Sequence, residues 1–132
     1  MNTLLYNNIV KKYNQFKSHL GMYLQYPTYN NIVSFLIGMN HMSDNIFLDK
    51  FKEWICKKFN INSSFYWDVL IKSLYCGDLN ECKGLDKKCL DSLISNKTDI
   101  EFLFYLIDEY IEERYVLPHS SVQMDKTLRG RR

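Results

Sequence analysis

The sequence predicts an all-α protein, a single compact domain of about six amphipathic helices, and three observations carry that expectation. Apolar residues fall at helical spacing in one segment after another, with polar punctuation between segments. The chain has Tyr 10, Phe 8 and Trp 2 against only Gly 5 and Pro 2, which favours large packed side chains over turn-rich β architecture. Its 132 residues, 46% apolar and 24% charged, suffice for one core, are too few for two ordinary domains, and exclude a wholly disordered chain.

The first helix is expected over residues 3–18, where Leu4, Leu5, Ile9, Val10, Tyr13 and Phe16 approximate a 3.6-residue stripe. It should stop near Gly21. Residues 22–27 read as extended, because Pro27 biases Tyr26 away from helix. Thr28 is a natural N-cap for a second helix carrying Ile32, Val33, Phe35, Leu36 and Met39, and Gly38 within that run suggests close approach of a neighbouring helix. Ser43 or Asp44 can cap a third, with Phe47, Leu48, Phe51, Trp54, Ile55 and Phe59 inside and Lys50, Lys52, Glu53, Lys57 and Lys58 outside.

After a loop at 60–63, a serine cap leads into Phe65, Trp67, Val69, Leu70, Ile71 and Leu74, ending at Cys76-Gly77. Residues 78–84 are ambiguous, and 85–94 form a shorter helix. The clearest boundary is Thr98-Asp99-Ile100-Glu101, a capping box that opens a long last helix reaching about Tyr115. Pro118 ends it. Residues 1–117 form the helical domain, and 118–132 a polar, basic tail. Trp54, Trp67, Phe35, Leu36, Leu106 and Ile107 are assigned to the core.

The net charge of +2 hides three zones. Residues 1–75 carry +4, residues 76–113 hold four lysines against ten acids, and residues 114–132 carry +4. Without the basic tail the domain is slightly acidic. At about 100° per residue, Glu101, Tyr105, Asp108 and Glu112 share one narrow stripe of the last helix, flanked by Glu109 and Glu113 and opposite Phe102, Leu103, Leu106, Ile107 and Tyr110. Such acids commonly do no more than solubilise an outer face. Here four of them crowd the C-terminal part of a helix, where negative charge opposes the dipole by about 0.3–1 kcal/mol each. A like-charged cluster beside an exposed aromatic suits a cationic partner.

Chemistry is harder to find. His19, His41 and His119 belong to no motif pairing them with a nucleophile, and no G-x-S-x-G, H-E-x-x-H, P-loop or G-x-G-x-x-G pattern occurs. Cys56, Cys76, Cys82 and Cys89 form no C-x-x-C pair, and reduced thiols are expected rather than a disulfide or a metal site. The reading is therefore of no enzyme, no cofactor and no metal. No apolar run approaches the ~18 residues of a membrane span, and the N-terminus lacks the layout of a cleaved signal. Nucleic-acid binding through Lys11, Lys12, Lys17 and the lysines of the third helix is the main rival, weakened by the lack of a strongly basic balance. A non-catalytic scaffold is the other.

Met22-Tyr23-Leu24-Gln25-Tyr26-Pro27-Thr28, Phe35-Leu36-Ile37-Gly38, Phe51-Lys52-Glu53-Trp54 and Trp67-Asp68-Val69-Leu70-Ile71 together resemble a family of small all-helical bacterial proteins. These are the immunity proteins of contact-dependent growth inhibition and polymorphic toxin systems. The resemblance covers about residues 3–115. It implies a cytoplasmic inhibitor that binds the toxic C-terminal domain of an effector, often a nuclease, and blocks its active site. No catalytic residue comes with it. The toxin-contacting residues expected from charge layout are Glu101, Tyr105, Asp108, Glu109, Glu112 and Glu113, with Asp78, Glu81, Asp86 and Asp91 as lesser candidates.

Overall fold

The N-terminal stripe folds as expected into helix α1 (Thr3–Ser18), which buries Tyr6, Ile9, Tyr13 and Phe16. Leu4 lies outside the buried arc, 71% exposed. The computed structural model describes residues 3–77, 85 and 87–120, and among them it contains seven helices and no strand. The additional element is a single turn, α2 (Leu20–Tyr23), in a region expected to end a helix and run extended. Amides of Met22 and Leu24 donate to the His19 and Leu20 carbonyls at 2.9 Å each, closing that turn. Pro27 restricts only Tyr26, too far along to prevent it.

Helix α3 (Tyr29–Met42) starts where the sequence indicates, with Thr28 Oγ1 accepting from the Asn31 amide at 3.2 Å. Gly38 does not serve close helix packing, because a Cβ placed on it would meet nothing within 4 Å. The α1–α3 contact is made instead by Phe16 stacked on Phe35 (4.1 Å, 7°), with Tyr23 against the edges of both rings.

Residues 43–50 are turns, not the opening of the next helix. Asp44, Asn45 and Lys50 all have left-handed backbones, with φ of 56°, 64° and 61°, which interrupts helical hydrogen bonding. Ser43 still caps, but caps the turn. Its Oγ accepts from the Phe47 amide at 3.1 Å, while Asn40 Oδ1 accepts from Leu48 at 2.8 Å. Phe47 and Leu48 are buried as expected without being helical. Helix α4 (Phe51–Phe59) then buries Phe51, Ile55 and Phe59 at four-residue spacing, and Trp54 is only half-buried at its edge.

Helix α5 (Trp67–Cys76) begins later than expected, since Ser63 Oγ accepts from the Phe65 amide at 3.0 Å and closes a turn there. Trp67, Leu70, Ile71 and Leu74 face inward, whereas Val69 faces solvent. Gly77, with φ of 76°, ends the helix in the left-handed conformation that glycine adopts without Cβ strain. Helix α6 (Lys87–Ile94) is short and buries Leu90.

Helix α7 (Asp99–Ser120) opens on the predicted capping box: Thr98 Oγ1 accepts from the Glu101 amide at 3.1 Å, and Glu101 Oε1 accepts from the Thr98 amide at 2.8 Å. It continues through Pro118 instead of ending there. A proline removes one donor and crowds the carbonyl four residues back, which can kink a helix without ending it, because the amides that follow can still reach carbonyls one turn back. Phe102, Leu103, Leu106 and Ile107 are fully buried, and Phe104, Tyr110 and Ile111 nearly so. The apolar arc is thus wide, packed on α4 and α5 and meeting α1 where Tyr13 and Phe104 touch (6.1 Å between ring centroids). Helix α7 contributes more buried side chains than any other described helix.

Candidate interaction surface

The outer arc of α7 is the expected acidic stripe, but most of its carboxylates have internal work. Glu101 is exposed and engaged in the capping box. Asp108 Oδ1 accepts from the Tyr13 hydroxyl and Oδ2 from Lys17 Nζ, both at 2.8 Å, bolting α7 to α1. Burial first, and then the Asp108 carboxylate, pushes the Tyr13 phenol far above its ordinary range, so it stays a neutral donor. Lys58 of α4 bonds Glu109. Partial burial would raise the Glu109 carboxyl, but Lys58 and Tyr105 outweigh it and hold the pKa below the usual value. Tyr105 is half-buried beneath Lys97 Nζ (5.1 Å to the ring centroid), and its bond to Glu109 pushes its phenol up to about 12.

Glu113 is exposed and accepts from Trp54 Nε1 at 3.1 Å. Glu112 is exposed and has no partner among the described residues. Because α7 runs on to Ser120, the four carboxylates from Asp108 to Glu113 lie along its middle and not in its last turn, so the dipole penalty expected of a helix ending near Tyr115 does not apply. Two lysines answer them, and among the described residues the unanswered charge falls on Glu112 and Glu113. Asp91 lies apart on α6, in the wall of a shallow hollow also lined by Tyr75 and Leu85. Asp78, Glu81 and Asp86 lie outside the described residues.

Arg114 closes the acidic segment, and its role is structural. One guanidinium nitrogen donates to the Ile46 and Phe47 carbonyls, each at 2.9 Å, and the group stacks 4.6 Å from the Tyr6 ring centroid. Tyr110 donates its hydroxyl to the Asp49 carbonyl, so α7 secures the middle and the C-terminal end of the 43–50 segment. No group of three or more His, Cys, Asp or Glu side chains placed to hold a metal forms among the described residues, and no helix among them is long and apolar enough to cross a membrane.

A second surface was not expected. An apolar groove of about 480 Å³ runs between α1 and α3, floored by Ile9, Phe16, Phe35 and Met39. Its signal in the sequence is negative: no Asp or Glu precedes Asp44. The chain matches no protein-family model, no curated protein and no solved structure.

Proposed function

We propose that this chain is an immunity protein that binds and neutralises a cognate toxin C-terminal domain, a nuclease in the simplest case, by occluding its active site. The observation that carries the proposal is the uncompensated charge of Glu112 and Glu113 beside half-buried Trp54. These carboxylates stand about two turns before the end of α7, on an exposed arc where no lysine meets them among the described residues. A nuclease site is cationic because it holds phosphates, and carboxylates on a rigid helix can take their place. Asp108 and Glu109 serve this face indirectly by fixing the helix that presents it. Glu101 stands aside as a cap.

The test uses Glu112→Lys with Glu113→Lys and the C-terminal domain of any toxin effector found encoded next to this chain. The variant should fold normally and associate about tenfold more slowly at low salt, with the difference shrinking as salt rises. Equal association rates at low salt would remove this face from the interface, and absence of any complex with wild type would remove the proposal itself.

A further inference from the structure

The groove between α1 and α3 has three properties that a folded chain with no partner does not need. It is apolar and open: Phe16 stacked on Phe35 closes one end, while residues back to Ile9 on α1 and on to Met42 on α3 line the sides, with Met42 81% exposed. It contains Gly38 in mid-helix, where glycine destabilises relative to alanine, although its φ is not positive and a Cβ would have open space. Neither backbone conformation nor internal packing requires that glycine; close approach by an outside backbone would. Finally, the one charged residue of its lining is basic. Lys12 lines it beside Gln15, and Lys11 lines the neighbouring hollow that shares Gln15; both lysines are exposed and neither pairs with a carboxylate among the described residues, whereas Lys17 is occupied by Asp108.

We infer that this groove docks an amphipathic helix of another protein, its apolar face laid on Phe35 and Met39 past Gly38, and acidic side chains along one flank meeting Lys11 and Lys12. The length fits such an occupant. From Ile9 to Phe16 the groove follows about two helical turns, roughly 10 Å, which spans anchors at i, i+4 and i+7. Methionines at its side and end can adapt to differently shaped anchors. A second copy presenting the same face would set lysines against lysines, so charge complementarity favours a different, acidic chain. A concave apolar slot with one lysine in its lining and a second beyond Gln15 is also a poor platform for a bilayer or a nucleic-acid backbone. The groove uses no α7 carboxylate, so this inference stands apart from the toxin-binding proposal.

The test titrates the isotope-labelled full chain with a helix-stapled peptide of about fifteen residues, bearing leucines at i, i+4 and i+7 and glutamates along one flank, against a matched peptide with lysines there. The acidic peptide should shift amide resonances of α1 and α3 around Gly38, and the lysine peptide should bind at least about tenfold more weakly. Gly38→Gln, which fills the slot, should weaken the acidic peptide about tenfold while the spectrum stays folded. Lys11→Glu with Lys12→Glu should reverse the preference. No shifts in the groove, equal affinity for both peptides, or displacement of the acidic peptide by random RNA or anionic vesicles would overturn the inference, as would self-association through this face.

Discussion

Replacing Asp108 with alanine tests whether the acidic stripe of α7 is a surface or a structural seam. The Tyr13 side chain is fully buried, and its hydroxyl donates to Asp108 Oδ1 at 2.8 Å. Removing the acceptor strands that hydroxyl, at a cost of about 1–3 kcal/mol. The Lys17 pair adds only a few tenths of a kcal/mol, since its side chains are 30% and 43% exposed and water screens them. The sum, about 2 kcal/mol, should lower Tm by roughly 6–10 °C for a domain of this size. Tyr13→Phe should cost less, about 0.5–1.5 kcal/mol, because the carboxylate left behind can turn to solvent. The double variant should lose less than the two singles together, and Glu112→Ala should stay within about 0.5 kcal/mol. Urea unfolding at constant m-value measures all four. If Asp108→Ala and Glu112→Ala are equally mild, the Tyr13–Asp108 bond does not hold α7 to α1 and the division of labour along this helix is wrong.

Three further outcomes follow from the geometry. Gly38→Ala should stabilise the chain by about 0.5–1 kcal/mol, read as a Tm rise of a few degrees, because the new methyl meets open space; a fall in Tm would show that the position is not free. Trp67→Ala should cost about 3–5 kcal/mol in chemical denaturation, since the buried ring leaves a void beside Phe51 (5.5 Å between centroids). Stability should also form a plateau in pH. The Asp99 carboxyl is held low, chiefly by its bond from Lys72, and Glu109 is low as well, so both contribute above the ordinary carboxylate value of about 4 and lose that contribution as pH falls through their lowered pKa values. Lys72 is raised by the same bond from Asp99, and its contribution fades only as pH climbs through that raised value. Asp99→Asn with Glu109→Gln should flatten the acid limb of unfolding free energy against pH; an unchanged limb would contradict it.

The helices with strong local signals were legible in the sequence. The stripe of α1, the Thr28 cap and the Thr98–Glu101 box all depend on neighbours within one turn, and the structure has all three. Misreadings arose where the backbone answers to distant groups. Residues 43–50 look helical because Phe47 and Leu48 are apolar, yet they are turns tied down by Tyr110 and Arg114, more than 60 positions later. Helical-wheel geometry placed the acids on the outer arc correctly but could not reveal that Tyr13, Lys17 and Lys58 reach them from α1 and α4. The groove left only faint signals, mid-helix Gly38 and the absence of acids before Asp44, since Ile9, Phe16, Phe35 and Met39 look like any core residues until the hollow between their helices is seen.

Because α7 supplies the largest share of the buried side chains and comes last among the described helices, order of synthesis becomes a constraint. As α1, α4 and α5 leave the ribosome, Tyr13, Ile55, Leu70 and Ile71 have no α7 to cover them. The earlier chain also lacks the carboxylates that receive Lys17, Lys58 and Lys72, all of which α7 supplies. A ribosome that stops before Asp99 releases a chain with its apolar faces open, a substrate for chaperones and proteases. Only a completed α7 closes the core and presents Glu112 and Glu113, so abortive fragments would carry no competing copy of the proposed binding face.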